Sequence, residues 1–501
     1  MATARPANLR RAALPLLAAL CAAAGLAPGC SRATVRDRLV IAYEDGVISL
    51  DPHRQDESVT ISVLANIYEG LVGFDADMRI VPLVAQGYTN PAGGGWRFHL
   101  RPGVTFHNGE RLSAGDVVYS MERARSGPAS AMRGLLAAVD RVTALDSLTV
   151  EITTSRPLPT LINVLSQVAI VPQGSDPDRQ AVGTGPYRFV RYLPGRGVEL
   201  AANGRYWGPA ARYRTVEFRS IADGAERTAA LLRGDVDLSA SIDEGQREQI
   251  GRHPGLKMLV IPGTSVSIIG FAAPGPTDPL ADARVRRALS LAIDRAAIID
   301  NVYHGYAQPA NQLVHPTIFG FAPGLPPIAR DTAAAARLLR AAGYGRGLTL
   351  RLDVARELRS EIAPLSAQLR EVGIRLVADT LDWSDLYHRI ESGTSTCYRM
   401  GISCSFGDAS EIINDLHSGR RAAGGYRNPS LDRLIDDADR EFDAARRQAV
   451  LQRAMTLLME DLPVVPLYLR DDCYGIRRGL AWQPRADGLV LAKEIRPEGS
   501  R

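Results

Sequence analysis

Apolar and polar side chains alternate from Trp96 to Leu100: Trp96, Phe98 and Leu100 are separated by Arg97 and His99. A period of two predicts a half-buried strand. Arg101-Pro102-Gly103 then turns the chain, Val104-Thr105-Phe106 starts a second strand, and His107-Asn108-Gly109-Glu110 turns it again. Asn-Gly suits that place because it adopts the positive φ of a tight turn. Ser113 stands three residues before Asp116, ahead of Val117, Val118 and Met121. This spacing reads as a capping box opening a helix. Around this stretch the pattern predicts a strand at 39–43, a helix over 61–72, strands at 141–143 and 149–153, a helix near 160–166 and a strand around 168–171.

Further on, 187–192 reads as a strand, 225–232 as a helix closed by Gly234, and 235–238 as the next strand. Val285, Ala288, Leu289, Ala292 and Ile293 fall at i, i+3, i+4, i+7 and i+8, so one face of that helix meets a core. Helices at 332–342, 361–372 and 384–391 then alternate with strands at 348–354, 374–378 and 398–403. Such alternation implies an α/β fold with a parallel sheet between helices. A late helix, 445–460, buries Leu451, Ala454, Met455, Leu458 and Met459 and is stopped by Pro463. No internal repeat or low-complexity segment interrupts the pattern.

A chain of 501 residues exceeds one core and implies two or three domains. With 46% hydrophobic and 23% charged residues it is an ordinary globular protein rather than a disordered one. The cations are nearly all arginine, lysine occurring only at Lys257 and Lys493, and they are scattered. No patch for nucleic acid results. Arg5, Arg10 and Arg11 precede an uncharged Ala- and Leu-rich run of about 16 residues, 12–27, which reads as a secretory leader too short to span a bilayer. Removing 1–29 deletes three arginines and no acids, taking the net charge from +4 to about +1. Leu26-Ala27-Pro28-Gly29-Cys30 resembles a lipoprotein processing site, with Leu26 one place early; this implies lipid at Cys30, or ordinary cleavage as the alternative.

Cys397 and Cys404 flank a predicted strand, roughly 23 Å apart at about 3.3 Å per residue, too far for a disulfide. Cys404 with Cys473 is the pair an oxidising compartment would allow. Three thiols without clustered histidines make no zinc site. Gly-x-Ser-x-Gly, His-Glu-x-x-His and Gly-x-x-x-x-Gly-Lys are all missing from the sequence, and its eight histidines are spread singly. Asp471-Asp472, adjacent on a strand, would point to opposite faces. The residues therefore predict no catalytic constellation, no metal site and no cofactor. In parallel α/β sheets ligands gather beyond the carboxyl ends of strands, which draws attention to Ser405, Phe406, Gly407 and Asp408.

The run LRPGVTFHNGERLSAGDVVYS, from Leu100 to Ser120, closely resembles the signature of the family 5 extracytoplasmic solute-binding proteins. Those are the oligopeptide-, dipeptide- and nickel-binding components of ABC importers. Leu50-Asp51-Pro52, Tyr68-Glu69-Gly70-Leu71, Val182-Gly183-Thr184-Gly185-Pro186-Tyr187, Asn203 and Tyr206-Trp207-Gly208 extend the resemblance. Gly183-x-Gly185 is read as a tight turn into a sheet, because Pro186 and a following strand argue against a phosphate-binding helix start. The resemblance implies a class II periplasmic-binding-protein-like fold. One lobe would comprise 36–55, 175–262 and 475–496, an extra strand-rich domain 56–174, and a second lobe 263–474, hinged near Pro262 and Asp472.

The same resemblance implies roles for site residues. Ser405 takes the place of the acid that pairs with a peptide's amino terminus, Asp408 that of a second acid, and Ala409 that of a proline. A buried ammonium without an anion is costly, so a free-amine peptide needs a substitute from Asp408, Asp56 or Glu57. Arg399 aligns with an arginine aimed at a ligand carboxylate in some relatives, with a strand-edge salt bridge as the alternative. Trp383 matches an aromatic of the pocket wall. Asp56, Glu57 and Ser58 would form the opposite lip, and Ser265 and Ser267 would stand near the hinge. Phe271-Ala272 departs from the Phe-Asn of many peptide binders. The implied protein is monomeric, sits in the periplasm or cell envelope held only by lipid at Cys30, and binds no nucleic acid. It captures an oligopeptide or peptide-like, anionic solute for an ABC permease and its ATPase subunits. A nickel-chelate or metallophore binder and an orphan surface lipoprotein acting as receptor or chaperone remain alternatives.

Overall fold

A computed structural model of the protein describes residues 37–54, 57–90, 95–193, 196–272, 277–418 and 426–499. The leader, Cys30 and Asp56 lie outside the described residues.

Eleven strands form one mixed sheet. Its order is Ile374–Leu381, Leu348–Ala355, Cys397–Ile402, Leu256–Phe271, Val464–Arg477, Leu238–Ser239, Arg38–Tyr43, Thr215–Ser220, Gly197–Ala202 and Tyr187–Leu193, with Ala307–Pro309 paired to Val464–Arg477. Arg38–Tyr43 is buried at every position after its first, as a strand covered on both faces should be. It runs parallel to Thr215–Ser220 and Leu238–Ser239. At the other end Leu348–Ala355 is parallel to Ile374–Leu381 and Cys397–Ile402. The predicted parallel arrangement is therefore present at both ends, but Leu256–Phe271 joins antiparallel to Cys397–Ile402, which makes the sheet mixed.

Two long strands connect these ends. Leu256–Phe271 and Val464–Arg477 pair antiparallel from Leu256 opposite Arg477 to Gly270 opposite Val464, with a register shift between Pro262 and Val266. Ile261 lies opposite Asp472 and Pro262 opposite Asp471. Proline donates no ladder hydrogen bond, so it suits the place where pairing is interrupted.

A separate antiparallel sheet has the order Ala85–Thr89, Gly95–Leu100, Thr149–Thr154, Val139–Ala144. Phe98, Leu100, Val150 and Ile152 bury its inner face against Val117 and Met121 of helix Ala114–Ser126. Each such side chain contributes about 1.5–3 kcal/mol on full burial. The capping box forms: the Ser113 amide donates to Asp116 at 2.9 Å. Residues 104–106 do not become a strand, because the Asn108-Gly109 turn returns the chain after one bridge between Thr105 and Arg111. The helix predicted over 61–72 is shorter, Ser58–Leu64. Val72 is needed instead in strand Val72–Phe74, which pairs with Ile80–Pro82.

In the second half, helix Ala283–Ala292 buries Val285, Ala288, Leu289 and Ala292 as its periodicity requires. Helix Ala444–Asp461 buries Leu451, Ala454, Met455, Leu458 and Met459. The pairing expected between Cys404 and Cys473 is absent: Cys397, Cys404 and Cys473 are buried free thiols. Cys404 Sγ instead donates to the Asp408 carbonyl at 3.1 Å.

Candidate functional site

Where the two long strands cross between the ends of the sheet, the chain encloses a cavity of about 1540 Å³. One wall comes from Glu44, Ser58, Ile61 and residues 240–245; a second from Phe74, Met78 and Gln167 beside the small sheet; a third from Glu357, Ser360 and residues 403–405; and the floor from residues 470–474.

The first wall is positioned by motifs that the sequence already singled out. Glu57 caps helix Ser58–Leu64, accepting from the Val59 and Thr60 amides at 2.6 and 2.7 Å. This satisfies helix-end donors and leaves exposed Ser58, but not the Glu57 carboxylate, on the cavity wall. Asp51 accepts a forked pair of bonds from Arg123, whose Nη1 also lies 2.9 Å from His53 Nδ1. Because His53 Nε2 meets the Ala169 carbonyl at 2.8 Å, it carries the proton, and Nδ1 accepts from Arg123. Burial pushes the imidazole pKa down and so favours the neutral ring. The Leu-Asp-Pro turn is thus fastened to the small-sheet region.

Glu69 is the second fixed point. Its carboxylate accepts from the Thr184 hydroxyl at 2.8 Å, the Tyr206 hydroxyl at 2.7 Å and the Trp207 indole at 2.8 Å. Gly183 and Gly185 serve a close approach rather than the expected tight turn. A Cβ on Gly183 would lie 2.1 Å from the Ile67 carbonyl oxygen, and one on Gly185 2.7 Å from those of Asn66 and Ile67.

The third wall lies past the carboxyl ends of strands Leu348–Ala355, Ile374–Leu381 and Cys397–Ile402. Ser403 and Ser405 are exposed and line the cavity. Asp408 does not: it is 3% exposed and bound to Arg447, to the Ser410 amide at 3.0 Å and to the Ser410 hydroxyl at 2.7 Å. A carboxylate saturated in this way has no oxygen left for an ammonium. Phe406 and Gly407 also turn from the cavity. The Phe406 carbonyl accepts from Asn163 Nδ2 at 2.7 Å, and Gly407, at φ +66°, lies against Phe74 and Met78. Beneath this loop Glu411 accepts from the Phe406 amide at 3.0 Å, and burial pushes its carboxyl up to about 7.

Arg399 corrects the sequence expectation most clearly. It is fully buried, and its donors go to Glu361, Tyr468 and the Met400 and Ile268 carbonyls. A guanidinium so committed is a structural ion pair, not an anchor for a solute carboxylate. Trp383 is 40% exposed, with its ring 6.2 Å from that of Tyr387, and stands off the cavity wall. Ser267 is buried within the sheet, while Ser265 is exposed beside Gly401, off the wall.

Sequence reasoning missed the floor. Arg470, Asp471, Asp472 and Cys473 all line the cavity, although alternation along a strand assigns Asp471 and Asp472 to opposite faces. The two pair in regular register with Pro262 and Ile261, and the register shift of the facing strand begins only beyond Asp471. Asp472 keeps access to solvent; desolvation within the cavity raises its carboxyl, with Arg470 pulling against it, and raises Asp471 against the pull of Arg247. Arg247 enters from the start of helix Arg247–Arg252 and lies over the Tyr306 ring at 4.2 Å. The acidic pair interrupting an otherwise apolar strand was a usable signal; nothing in sequence distinguishes Arg247 from other arginines.

This architecture, with a large cavity where two strands cross between sheet ends, is that of a periplasmic binding protein. Comparison with known proteins agrees. The family described as bacterial extracellular solute-binding proteins, family 5 Middle, matches residues 79–424. The glutathione-binding protein GsiB of Pectobacterium atrosepticum is 27% identical over 451 residues, covering 85% of this chain and 87% of that protein. Among solved structures, HbpA2 from Haemophilus parasuis superposes with a TM-score of 0.84 at 21% identity, covering 92% of this chain and 100% of that one. The Escherichia coli murein tripeptide binding protein MppA gives 0.72 at 24% identity, covering 92% and 98%. The chain belongs to the family 5 bacterial extracellular solute-binding proteins. It is a solute-binding component of an ABC importer, not an enzyme.

Proposed function

We propose that the protein captures a peptide or peptide-like solute in the cavity and presents it to its membrane permease. In this reading residues 36–55, 175–262 and 475–496 form one lobe, 263–474 the other and 56–174 the extra domain. The lobes close by rotation about the paired strands near Pro262 and Asp472. The observation that carries it is the cavity itself. At about 1540 Å³ it exceeds the roughly 300–1,000 Å³ of a drug-sized pocket, leaving room for several residues and for closure. The names of the relatives, a glutathione binder and a murein tripeptide binder, support the same solute class.

The wall does not favour the overall anionic solute that the sequence suggested. Glu44, Glu244 and Glu357 line it together with Asp471 and Asp472, and the cations Arg247, Arg470 and Lys493 line it too. A solute carrying both an ammonium and a carboxylate is better matched. We propose also that lipid on Cys30 holds the mature chain at the membrane; intact-mass measurement would find the diacylglycerol. Native mass spectrometry of protein purified from its own envelope tests the main reading. A bound species that fragments as a peptide is expected, and a metal chelate or an empty protein would contradict it.

A further inference from the structure

A hairpin tip from the first half of the chain is plugged into the core of the second. Met78 stands between strands Val72–Phe74 and Ile80–Pro82 and is 7% exposed. It belongs to a buried apolar cluster whose other buried members all fall between Val266 and Leu469. Its backbone lies at φ +64°, where a bulky residue stays only if its surroundings hold it. The tip holds itself. The Asp75 carboxylate accepts from the Asp77 and Arg79 amides at 2.9 Å each, and the Asp75 carbonyl accepts from the Met78 amide at 3.1 Å. The base is tied to the C-terminal segment: Arg485 donates to the Phe74 carbonyl at 2.7 Å, and the Ala486 amide to that of Ala76 at 3.2 Å. The peg is therefore shaped before it meets its socket.

The socket is Gly407. A Cβ on it would lie 3.2 Å from the Phe74 ring and 3.4 Å from the Met78 methyl, so only glycine lets both approach. Its carbonyl accepts from the Phe319 amide at 3.0 Å, and neighbouring Asp408 is bound to Arg447, which fixes the loop. Asn163 Nδ2, on helix Leu161–Leu165, reaches the Phe406 carbonyl at 2.7 Å. Farther out, the Trp96 and Phe442 rings are 6.5 Å apart and Arg156 lies 3.9 Å from Asp439.

Resting on the two-lobe reading above, we propose that Met78 and Asn163 form a latch that engages Phe406 and Gly407 when the lobes close and so slows release of the solute. Residues 56–174 are fastened to the first lobe by Arg123 on Asp51 and by Thr184, Tyr206 and Trp207 on Glu69. They therefore travel with that lobe. Toward 263–474 they offer a single plug, one part-buried hydrogen bond and looser contacts at the edge, which can part and re-form. Methionine suits such a peg because its unbranched thioether adapts to a socket that is not always filled. A contact made only in the closed state raises the population of that state and tightens binding by the same factor. The latch grips protein rather than solute, so it strengthens every solute alike and leaves selectivity to the cavity wall.

The test uses full-length mature protein, spin-labelled through Glu244→Cys and Glu357→Cys, alone or with Met78→Gly or Asn163→Ala. The probe is a mixed library of di- to pentapeptides, and retained species are read by mass spectrometry after ultrafiltration. Met78→Gly should cut retention of every retained peptide by a common factor of at least about ten, and Asn163→Ala should cut it less. In the solute-free protein, pulsed dipolar spectroscopy should show a minority of short distances that Met78→Gly abolishes. Its solute-free melting temperature should stay near wild type, because glycine adopts φ +64° without strain. A lowered melting temperature with unchanged distances and retention would make the contact permanent packing. Loss confined to some peptides would make Met78 a solute contact. Either result overturns the latch and leaves hinged capture intact. A wild type with one distance, library present or absent, would remove the two-lobe reading and the latch with it.

Discussion

Arg399 and Glu361 meet edge to edge, Nε to Oε2 at 2.7 Å and Nη2 to Oε1 at 2.9 Å, with both side chains shut off from solvent. Tyr468 accepts a further bond from Nη2 at 2.8 Å, and Tyr303, whose other side faces the cavity, donates to Glu361. Removing one member of such a pair strands the other charge in the interior. Arg399→Ala should therefore destabilise the fold by about 3–5 kcal/mol, measured by urea unfolding. Affinity of the fraction that remains folded should change little.

Glu69 predicts a comparable loss for a carboxylate shared by three uncharged donors. Glu69→Ala would leave the Thr184 hydroxyl, Tyr206 hydroxyl and Trp207 indole without their acceptor. At about 1–3 kcal/mol for each stranded buried donor, partly relieved by water, a total near 3–5 kcal/mol is expected. Calorimetric unfolding of the variant measures it.

Glu411 supplies a pH dependence. Burial raises its carboxyl from an ordinary value of 4.5 to about 7 in the folded chain. The folded state then holds a proton that the unfolded state releases between those values. This contribution is fully present below pH 4.5 and is lost as pH rises through about 7. Glu411→Gln mimics the protonated form and should raise stability at pH 8 by about 1–3 kcal/mol. It should also flatten the pH profile between pH 4.5 and 7. Melting temperatures of both proteins across that range check the sign.

Ser405 is exposed at the cavity and makes no buried contact that a larger residue would break. Ser405→Trp should leave stability within about 0.5 kcal/mol while filling space that the solute needs. Titration calorimetry with the peptide found by mass spectrometry should show at least about tenfold weaker binding.

Local elements were legible in the sequence because their causes are local. Alternation wrote the Gly95–Leu100 strand, the Ser113–Asp116 spacing wrote its helix cap, and apolar periodicity wrote Ala283–Ala292. Leu-Asp-Pro, Tyr-Glu-Gly-Leu, Gly-Thr-Gly-Pro-Tyr and Tyr-Trp-Gly were also visible, but not that the last three converge on one carboxylate. Site chemistry was less readable, since a side chain's role depends on partners distant in the chain. Arg399 is removed from service by Glu361, 38 positions away, and Asp408 by Arg447, 39 positions away. Arg247 acquires its place only because Tyr306 folds beneath it. That Asp471 and Asp472 both line the cavity was hidden as well, because a period of two looks only at the faces of a strand and not at what surrounds it.

Capture by closure is the claim on which the functional account stands. Glu244 and Glu357, exposed on opposing walls, are replaced by cysteine and spin-labelled, and their separation is measured by pulsed dipolar spectroscopy with and without the retained peptide. A distance that shortens and narrows on binding is predicted. An unchanged distribution at saturating peptide would contradict hinged capture in this cavity.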